Sequence, residues 1–219
     1  MTDSNLPQRS GILSTRKLLF GAGTVLLAGA AVLYGINRGG GKETASSCSD
    51  SAKTAEKIAP LAQGGLAALT IPRTPRAAVD VSFDGPSGEK KTLADFRGKT
   101  VLLNLWATWC IPCREEMPAL DKLQAKLGGP DFEVVAVSID TARLEKRKTF
   151  LAEAGVEKLA FYSDASADIF QRLKRAGKVT GLPTTLLIDR SGCEIGILAG
   201  PADWASDEAI RLISLAKGS

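Results

Sequence analysis

The chain has 219 residues, of which 44% are hydrophobic and 24% are charged, a composition typical of a globular protein. It contains no histidine, which excludes Ser-His-Asp and Cys-His catalytic sites and metal sites that depend on imidazole. The formal net charge is +4, and the four charged residues of positions 1–36 account for +2 of it. The remaining chain is therefore too nearly neutral to indicate binding to nucleic acid.

Near the N-terminus, residues 18–36 form an uncharged and largely apolar stretch that is flanked by basic residues on both sides. As a helix it would span roughly 28 Å, close to the thickness of the bilayer core. The pattern predicts a single-pass anchor in the inner (cytoplasmic) membrane, with residues 1–17 in the cytoplasm and the rest of the chain in the periplasm. A cleaved signal peptide is the alternative, and the length of the stretch favours the retained anchor.

Residues 37–75 are predicted to form a tether and a helical extension. Three consecutive glycines at 39–41 indicate a flexible linker. A helical pattern begins near residue 49, and Pro60 is expected to end or kink it. We therefore divide the chain into 1–17, 18–36, 37–75 and a folded domain at 76–219.

Within the folded domain, apolar runs alternate with helical patterns. The predicted strands are 79–83, 101–106, 132–139, 184–188 and 195–198, and the predicted helices are 111–127, 141–154, 165–175 and 205–216. Residues 159–162 are either a short edge strand or a connection. This order predicts an α/β fold with a mixed central sheet and helices on both of its faces.

Two cysteines, Cys110 and Cys113, fall where a buried strand turns into a helix. A thiol at the start of a helix has a lowered pKa because free backbone N–H groups and the helix dipole stabilise its thiolate. Cys113, one turn further on, is placed to resolve a mixed disulfide. A zinc site would need a second pair of ligands, haem attachment would need histidine where Arg114 stands, and a purely structural disulfide would add little constraint in so short a loop.

These residues resemble the thioredoxin-like superfamily, and within it the membrane-anchored TlpA/ResA-type thiol–disulfide oxidoreductases. The resemblance covers about 79–216. It is carried by DFRGK at 95–99, LNLWATWCIPCREEMP at 103–118 and GLPT at 181–184. The resemblance implies a thioredoxin-like fold in which Cys110 attacks and Cys113 resolves, with Pro183 as a cis-proline that faces the disulfide.

The same resemblance implies a biological role. Substrates would be proteins with cysteine pairs, in particular cytochrome or copper-centre assembly proteins, and a membrane electron donor would restore the dithiol. No metal or organic cofactor is required, and the expected state is a monomer. A general disulfide oxidase or isomerase, a peroxidase, and a non-catalytic copper-binding chaperone on the same fold are the alternatives, although the last usually requires histidine.

One position departs from thioredoxin, which has a buried aspartate where this chain has Asn104. An amide cannot accept the proton of the resolving thiol. Glu116, three residues after Cys113 and on the same helix face, is the next candidate. The alternative is that Glu116 is an ordinary solvated carboxylate.

Substrates are predicted to dock on an apolar surface around the reactive cysteine. Trp109, Ile111 and Pro112 flank Cys110, and Leu182 precedes the predicted cis-proline. Apolar residues around a reactive atom form a contact site for a partner, and tryptophan is a frequent binding hot spot. The alternative is that Trp109 packs over the start of the helix.

Two further cysteines, Cys48 and Cys193, lie far apart in the sequence. In an exported protein such a pair usually forms a disulfide. We predict a structural bridge that holds the helix near residue 50 onto the domain. Two free thiols and an intermolecular bridge through Cys48 are the alternatives.

Overall fold

The computed structural model of the protein describes residues 48–142 and 145–218. The predicted anchor at 18–36, the segment at 1–17 and the glycine-rich tether therefore lie outside the described residues. Within the described part, no helix is both long and apolar enough to cross a membrane.

A fully buried strand, β4 (Thr100–Trp106), lies at the centre of the fold. It pairs in parallel with β5 (Phe132–Ser138) and antiparallel with β7 (Thr184–Ile188). Strands buried on both faces have nearly continuous apolar sequences, which is why the sequence predicted all three. The mixed sheet of an α/β fold is thereby confirmed.

The whole sheet has eight described strands in the order β1-β8-β7-β4-β5-β6-β2-β3. The five strands outside the centre are β1 (Arg76–Ala77), β2 (Ser82–Asp84), β3 (Lys90–Thr92), β6 (Tyr162–Ser163) and β8 (Cys193–Ala199). Only β4–β5 and β5–β6 are parallel among these pairs.

Five α-helices are described: α1 (Ser49–Ile58), α2 (Ile111–Leu127), α3 (Glu145–Glu153), α4 (Asp168–Arg175) and α5 (Asp207–Lys217). A short 3₁₀ helix, Ala59–Leu61, follows α1 and contains Pro60. The predicted end of the helical pattern at this proline is confirmed. The 3₁₀ helices Gly64–Leu66 and Leu93–Phe96 were not predicted.

Side chains of β4 alternate between the two faces of the sheet. On one face Asn104 bonds to Glu116 of α2, and Thr100 bonds to the carbonyl of Ala216 in α5. On the other face Leu103 and Leu105 are fully buried. Both faces of the central strand are thus covered, and α2 begins close to the C-terminal end of β4.

The predicted elements differ from the structure mainly at the sheet edges. In place of the strand predicted at 79–83, the structure has the shorter strand β2 at residues 82–84. Its partner β3 was not predicted, since a run of two lysines and a threonine has no apolar alternation. The two-residue strand β1 was also missed. Residues 159–162 lead into β6, and β8 begins at Cys193, two residues before the strand predicted at 195–198.

Candidate active site

The reactive pair lies where the sequence predicts it, at the start of α2. Cys110 is the N-cap residue, and its sulfur accepts a hydrogen bond of 3.3 Å from the amide of Cys113. The two cysteines form a disulfide with their Cα atoms 5.3 Å apart. As a thiolate, the Cys110 sulfur would be stabilised by the same N–H group and by the helix dipole.

The two sulfurs differ only slightly in accessibility. Cys110 is the predicted attacking thiol, which a substrate must reach, yet in the disulfide it is only 6% exposed. Cys113 is fully buried. A substrate thiol or disulfide can therefore reach Cys110 more readily than Cys113, in agreement with their predicted order of action.

The loop that carries Cys110 is held by a buried carboxylate that the sequence analysis missed. Asp140, 3% exposed, follows the end of β5. It accepts hydrogen bonds from the amide and the hydroxyl of Thr108 and from the hydroxyl of Ser138, the latter two at 2.8 Å. The only signal in the sequence was a polar residue directly after a buried strand. The carboxyl ends of neighbouring parallel strands meet at one edge of a sheet, so such a residue is expected near the end of β4.

Glu116 is not a solvated carboxylate, so that alternative is wrong. It is 4% exposed and lies one helical turn after Cys113. Its Oε2 accepts from the Asn104 amide at 3.2 Å, and its Oε1 accepts from the Ala202 amide at 3.0 Å and from the Trp204 indole at 2.6 Å. Burial raises the pKa of Glu116 to about 7, against the opposing effect of these three donors. A group with this pKa can accept and release a proton near neutral pH.

Asn104 is fully buried and joins this network to the neighbouring strand. Its amide nitrogen donates to Glu116 and, at 3.0 Å, to the hydroxyl of Thr185 in β7. Asn104 therefore contacts Glu116 directly, and its amide is not itself a proton acceptor. Thr185 was not identified from the sequence.

The predicted docking residues lie on the surface at the start of α2. Trp109 and Ile111 are each 67% exposed, and Pro112 is partly exposed. The interpretation in which Trp109 packs over the helix start is therefore wrong for its side chain. The Leu182–Pro183 peptide bond is cis, and Leu182 is partly buried.

The strand register places Pro183 near the reactive pair. Leu105 of β4 pairs with Thr184 of β7. Because Pro183 directly precedes Thr184, it lies beside the C-terminal end of β4. The chain continues from this end of β4 to Cys110. The roles predicted for these residues in substrate docking stay predictions.

The second disulfide joins Cys48, just before α1, to Cys193 at the start of β8. Both residues are buried, at 3% and 1% exposed. The interpretations as two free thiols and as an intermolecular bridge are wrong for this structure, and the bridge fixes the start of α1 to the sheet. Among the described residues, no group of three or more cysteines or carboxylates could hold a metal ion.

The fold and the reactive pair define the class, which is that of the thiol–disulfide oxidoreductases with a thioredoxin-like fold. The chain belongs to the Redoxin family, whose model matches residues 75–210. Over 155 residues it is 32% identical to the thiol-disulfide oxidoreductase ResA of Geobacillus kaustophilus, which covers 68% of this chain and 86% of the relative.

Two further similarities agree with this class. The chain is 40% identical over 120 residues to the thioredoxin-like protein YneN of Bacillus subtilis, a match that covers 52% of this chain and 65% of that relative. A thiol:disulfide interchange protein of the thioredoxin family from Chlorobium tepidum has a similar solved structure, with 27% identity and a TM-score of 0.55. That match covers 66% of this chain and 97% of the other.

The raised pKa of Glu116 leads to a prediction on stability. Because the folded-state value of about 7 lies above the unfolded-state value of 4.5, protonation of Glu116 favours the folded state. Its stabilising effect is complete below pH 4.5 and is lost as the pH rises through about 7. Relative to Glu116→Gln, the oxidised wild-type protein should lose about 3 kcal/mol of unfolding free energy between pH 4 and pH 8.

Urea unfolding at a series of pH values measures this difference. Glu115→Gln, which removes the exposed carboxylate next in the sequence, is the matched control for a change in net charge. Glu115→Gln should lose stability between pH 4 and pH 8 as the wild type does, whereas Glu116→Gln should lose clearly less over the same range. Parallel stability curves for the wild type and Glu116→Gln would contradict the assignment.

Proposed function

We propose that this protein is a membrane-anchored thiol–disulfide reductase that keeps substrate cysteines reduced outside the cytoplasm. The observation that carries the proposed exchange is the buried Glu116 carboxylate one turn after Cys113, and the reductive direction is the one that the resemblance implies. Oxidation of the dithiol, which accompanies reduction of a substrate, requires that the resolving thiol lose its proton. A buried carboxylate with a pKa near neutrality is suited to accept it.

The reaction consists of two exchanges. The Cys110 thiolate attacks the substrate disulfide, which forms a mixed disulfide and releases the first substrate thiolate. Glu116 then takes the proton of Cys113, and the Cys113 thiolate attacks Cys110, which forms the Cys110–Cys113 disulfide and releases the second substrate thiolate. Two electrons pass from the enzyme dithiol to the substrate, and solvent and Glu116 supply the protons that the two thiolates take up. A dithiol donor in the membrane then restores the enzyme by the reverse exchange.

The proposed substrates are cysteine pairs of cytochrome or copper-centre assembly proteins. Such cysteines must be reduced before haem or copper is attached. The relative named ResA carries the designation of thiol-disulfide oxidoreductase, and the resemblance identified in the sequence supports the narrower role. A monomeric enzyme with no metal or organic cofactor is sufficient for this chemistry.

A direct test uses peptides that contain a disulfide-bonded Cys-x-x-Cys-His haem-attachment sequence. The reduced protein should transfer its two electrons to the peptide, and one peptide disulfide should be lost for each Cys110–Cys113 disulfide formed. Cys110→Ser should be inactive. Failure of the wild-type protein to reduce the peptide would reject this substrate class.

The membrane part of the proposal rests on the uncharged stretch at 18–36 and is tested by fractionation of cells. The full chain should sediment with membranes, resist extraction by high salt or carbonate, and be released by detergent. A C-terminal epitope should become sensitive to protease once the periplasm is opened. Protection of the epitope until the inner membrane is dissolved would contradict the orientation.

A cleft of about 590 Å³ opens beside the exposed Trp109. Its described lining includes residues of the Cys110 loop, α2 and α3, with both signs of charge: Thr108, Trp109, Arg114, Asp140, Lys146, Phe150 and Glu153. The Arg114 guanidinium lies 4.9 Å from the centre of the Phe150 ring and packs against this wall. The cleft and Trp109 together form the surface on which we expect a substrate segment to lie.

Trp109→Ala should therefore weaken reduction of a protein disulfide more than reduction of a small disulfide. Loss of a tryptophan hot spot costs about 2 kcal/mol or more, so kcat/KM for the protein substrate should fall by roughly 30-fold. The rate with a small aliphatic disulfide should change by less than about threefold, since it needs no docking surface.

The matched control is Leu215→Ala. Leu215 is another exposed large apolar residue, 47% exposed, but it lies in α5 next to Ala216, which bonds to Thr100 at the opposite end of β4. Leu215→Ala should leave both rates unchanged. Equal losses on both substrates for Trp109→Ala would show that Trp109 acts on the thiol or on the fold instead of on docking.

A further inference from the structure

Trp204 lies in a loop but is completely buried. The loop runs from Gly200, with φ of +105°, to Ser206, and it connects β8 to α5. Its residues Pro201 and Asp203 are exposed, whereas Trp204 is 0% exposed. The polar end of its ring is not left unpaired, because the indole Nε1 donates to Oε1 of Glu116 at 2.6 Å.

The two oxygens of Glu116 have different surroundings. Oε1 accepts two hydrogen bonds, from the Trp204 indole and from the Ala202 amide, and both donors belong to the same loop. Oε2 accepts one longer bond, of 3.2 Å, from Asn104. Protonation of Oε1 would displace one of its two donors, whereas protonation of Oε2 requires a change only at Asn104.

Asn104 is able to make that change. Its Oδ1 is buried and has no hydrogen-bond partner among the described residues, while its Nδ2 serves both Glu116 and the Thr185 hydroxyl. If the amide turns over, Oδ1 accepts from a protonated Oε2 and from the same hydroxyl, which rotates to donate. Oε2 of Glu116 then has Asn104 as a hydrogen-bond partner in both protonation states.

We propose that Trp204 is a positioning residue for thiol–disulfide exchange: with Ala202, it holds Oε1 of Glu116 as an acceptor, so that the proton of Cys113 is taken up at Oε2 on the Asn104 side. This inference rests on the proposed role of Glu116 in the reaction. In the step concerned, the S–H bond of Cys113 breaks, an O–H bond forms at Oε2, and the resulting thiolate attacks Cys110. Trp204 exchanges no proton and only favours the charged form of the carboxylate.

The groups that contact Glu116 from the surrounding elements are neutral. They are Asn104 from β4, and the Ala202 amide and Trp204 from the 200–206 loop; Thr185 of β7 stands behind Asn104. On its own helix the titratable neighbour is Cys113. The other charged side chains near the start of α2, in the loop and near the start of α5 are at least partly exposed: Arg114, Glu115, Asp203, Asp207, Glu208 and Arg211. None of them contributes to the shifted pKa of Glu116.

The test follows the resolving step of the full-length protein as a function of pH. A chromogenic aryl disulfide, dithiobis-nitrobenzoate, releases one thiolate when Cys110 attacks and a second when Cys113 resolves. In the wild type, the rate of the second release should fall as the pH drops through the titration of Glu116. Trp204→Phe keeps the aromatic packing but removes the donor, so the midpoint should rise by about one pH unit, because a hydrogen bond to a charged group is lost.

Trp106→Phe is the matched control. Trp106 is also buried, but its indole nitrogen has no hydrogen-bond partner among the described residues, so the same substitution should leave the midpoint unchanged. An unchanged midpoint in Trp204→Phe, together with loss of the titration in Glu116→Gln, would overturn the role of Trp204 alone. A wild-type titration that persists in Glu116→Gln would instead reject Glu116 as the proton acceptor.

A measurement on the wild-type protein avoids dependence on the folding of the variant. The chain has three tryptophans, and the indole proton of Trp204 should show a pH-dependent NMR shift with the midpoint of the resolving step. The resonance is assigned by its change in Glu116→Gln. An indole proton that does not titrate would overturn the proposal.

Discussion

Cys113→Ser is expected to convert the enzyme into a trap for its substrates. In this variant the Cys110 thiolate still attacks a substrate disulfide, but no internal thiol releases the mixed disulfide. Because the Cys110 sulfur that carries the adduct is only 6% exposed even without a substrate, an external thiol resolves the adduct only slowly. Multiple turnover should fall by orders of magnitude, and the adduct should accumulate to nearly one substrate per enzyme.

Cys110→Ser provides the matched control, since it also leaves one thiol at the site. The remaining Cys113 thiol is buried beneath the start of α2, and we expect no mixed disulfide with a protein substrate. Non-reducing gel electrophoresis and mass spectrometry after incubation with an oxidised substrate measure both variants. Adducts that form only with Cys110→Ser would reverse the assigned roles.

Removal of the second disulfide should lower stability strongly without loss of activity. The bridge from Cys48 to Cys193 closes a loop with a sequence separation of 145. For a loop of this length, the chain-entropy estimate is about 5 kcal/mol of stability, which corresponds to a fall in melting temperature of roughly 10–20 °C. We expect this loss in the double variant with serine at both positions.

Activity should persist because the bridge is far from the reactive pair. Cys193 is followed by Glu194, which pairs with Ile188 of β7. Ile188 in turn pairs with Val101, so the bridge lies near the start of β4. The reactive pair follows the other end of β4, which is roughly 15–20 Å away along the strand. The rate of disulfide reduction well below the melting temperature should stay within about twofold of the wild type.

Replacement of Cys110 and Cys113 by serine is the control for loss of a disulfide. That bridge has a sequence separation of only 3, so its removal should cost far less stability. Thermal unfolding followed by circular dichroism measures both double variants. Loss of reductase activity with an unchanged melting temperature would show that Cys48 and Cys193 take part in the redox chemistry.

The central fold was predictable because its residues carry strong local patterns. The apolar run of β4 and the glycine-rich end of α2 each define an element without reference to distant residues. The edge strands β1 and β3 lack such a pattern. They are two and three residues long, are largely polar, and exist because a neighbouring strand offers its backbone groups.

The candidate site was predictable to the same degree. The spacing of Cys110 and Cys113 on a strand–helix junction is a local signal, and so is the position of Glu116 one turn later. The surroundings of Glu116 are not local, because Trp204 approaches from 88 residues along the chain. The sequence therefore left open whether Glu116 is solvated, and the folded structure decides that it is buried.

The reduction potential of the Cys110–Cys113 couple tests the proposed reductive function most directly. The protein is equilibrated with defined ratios of reduced and oxidised glutathione or dithiothreitol, and the two forms are separated after acid quenching and alkylation. A reductant should have a potential near that of thioredoxin, about −270 mV, and below about −200 mV in any case. A potential near about −120 mV, typical of a strong disulfide oxidant, would contradict the proposed function.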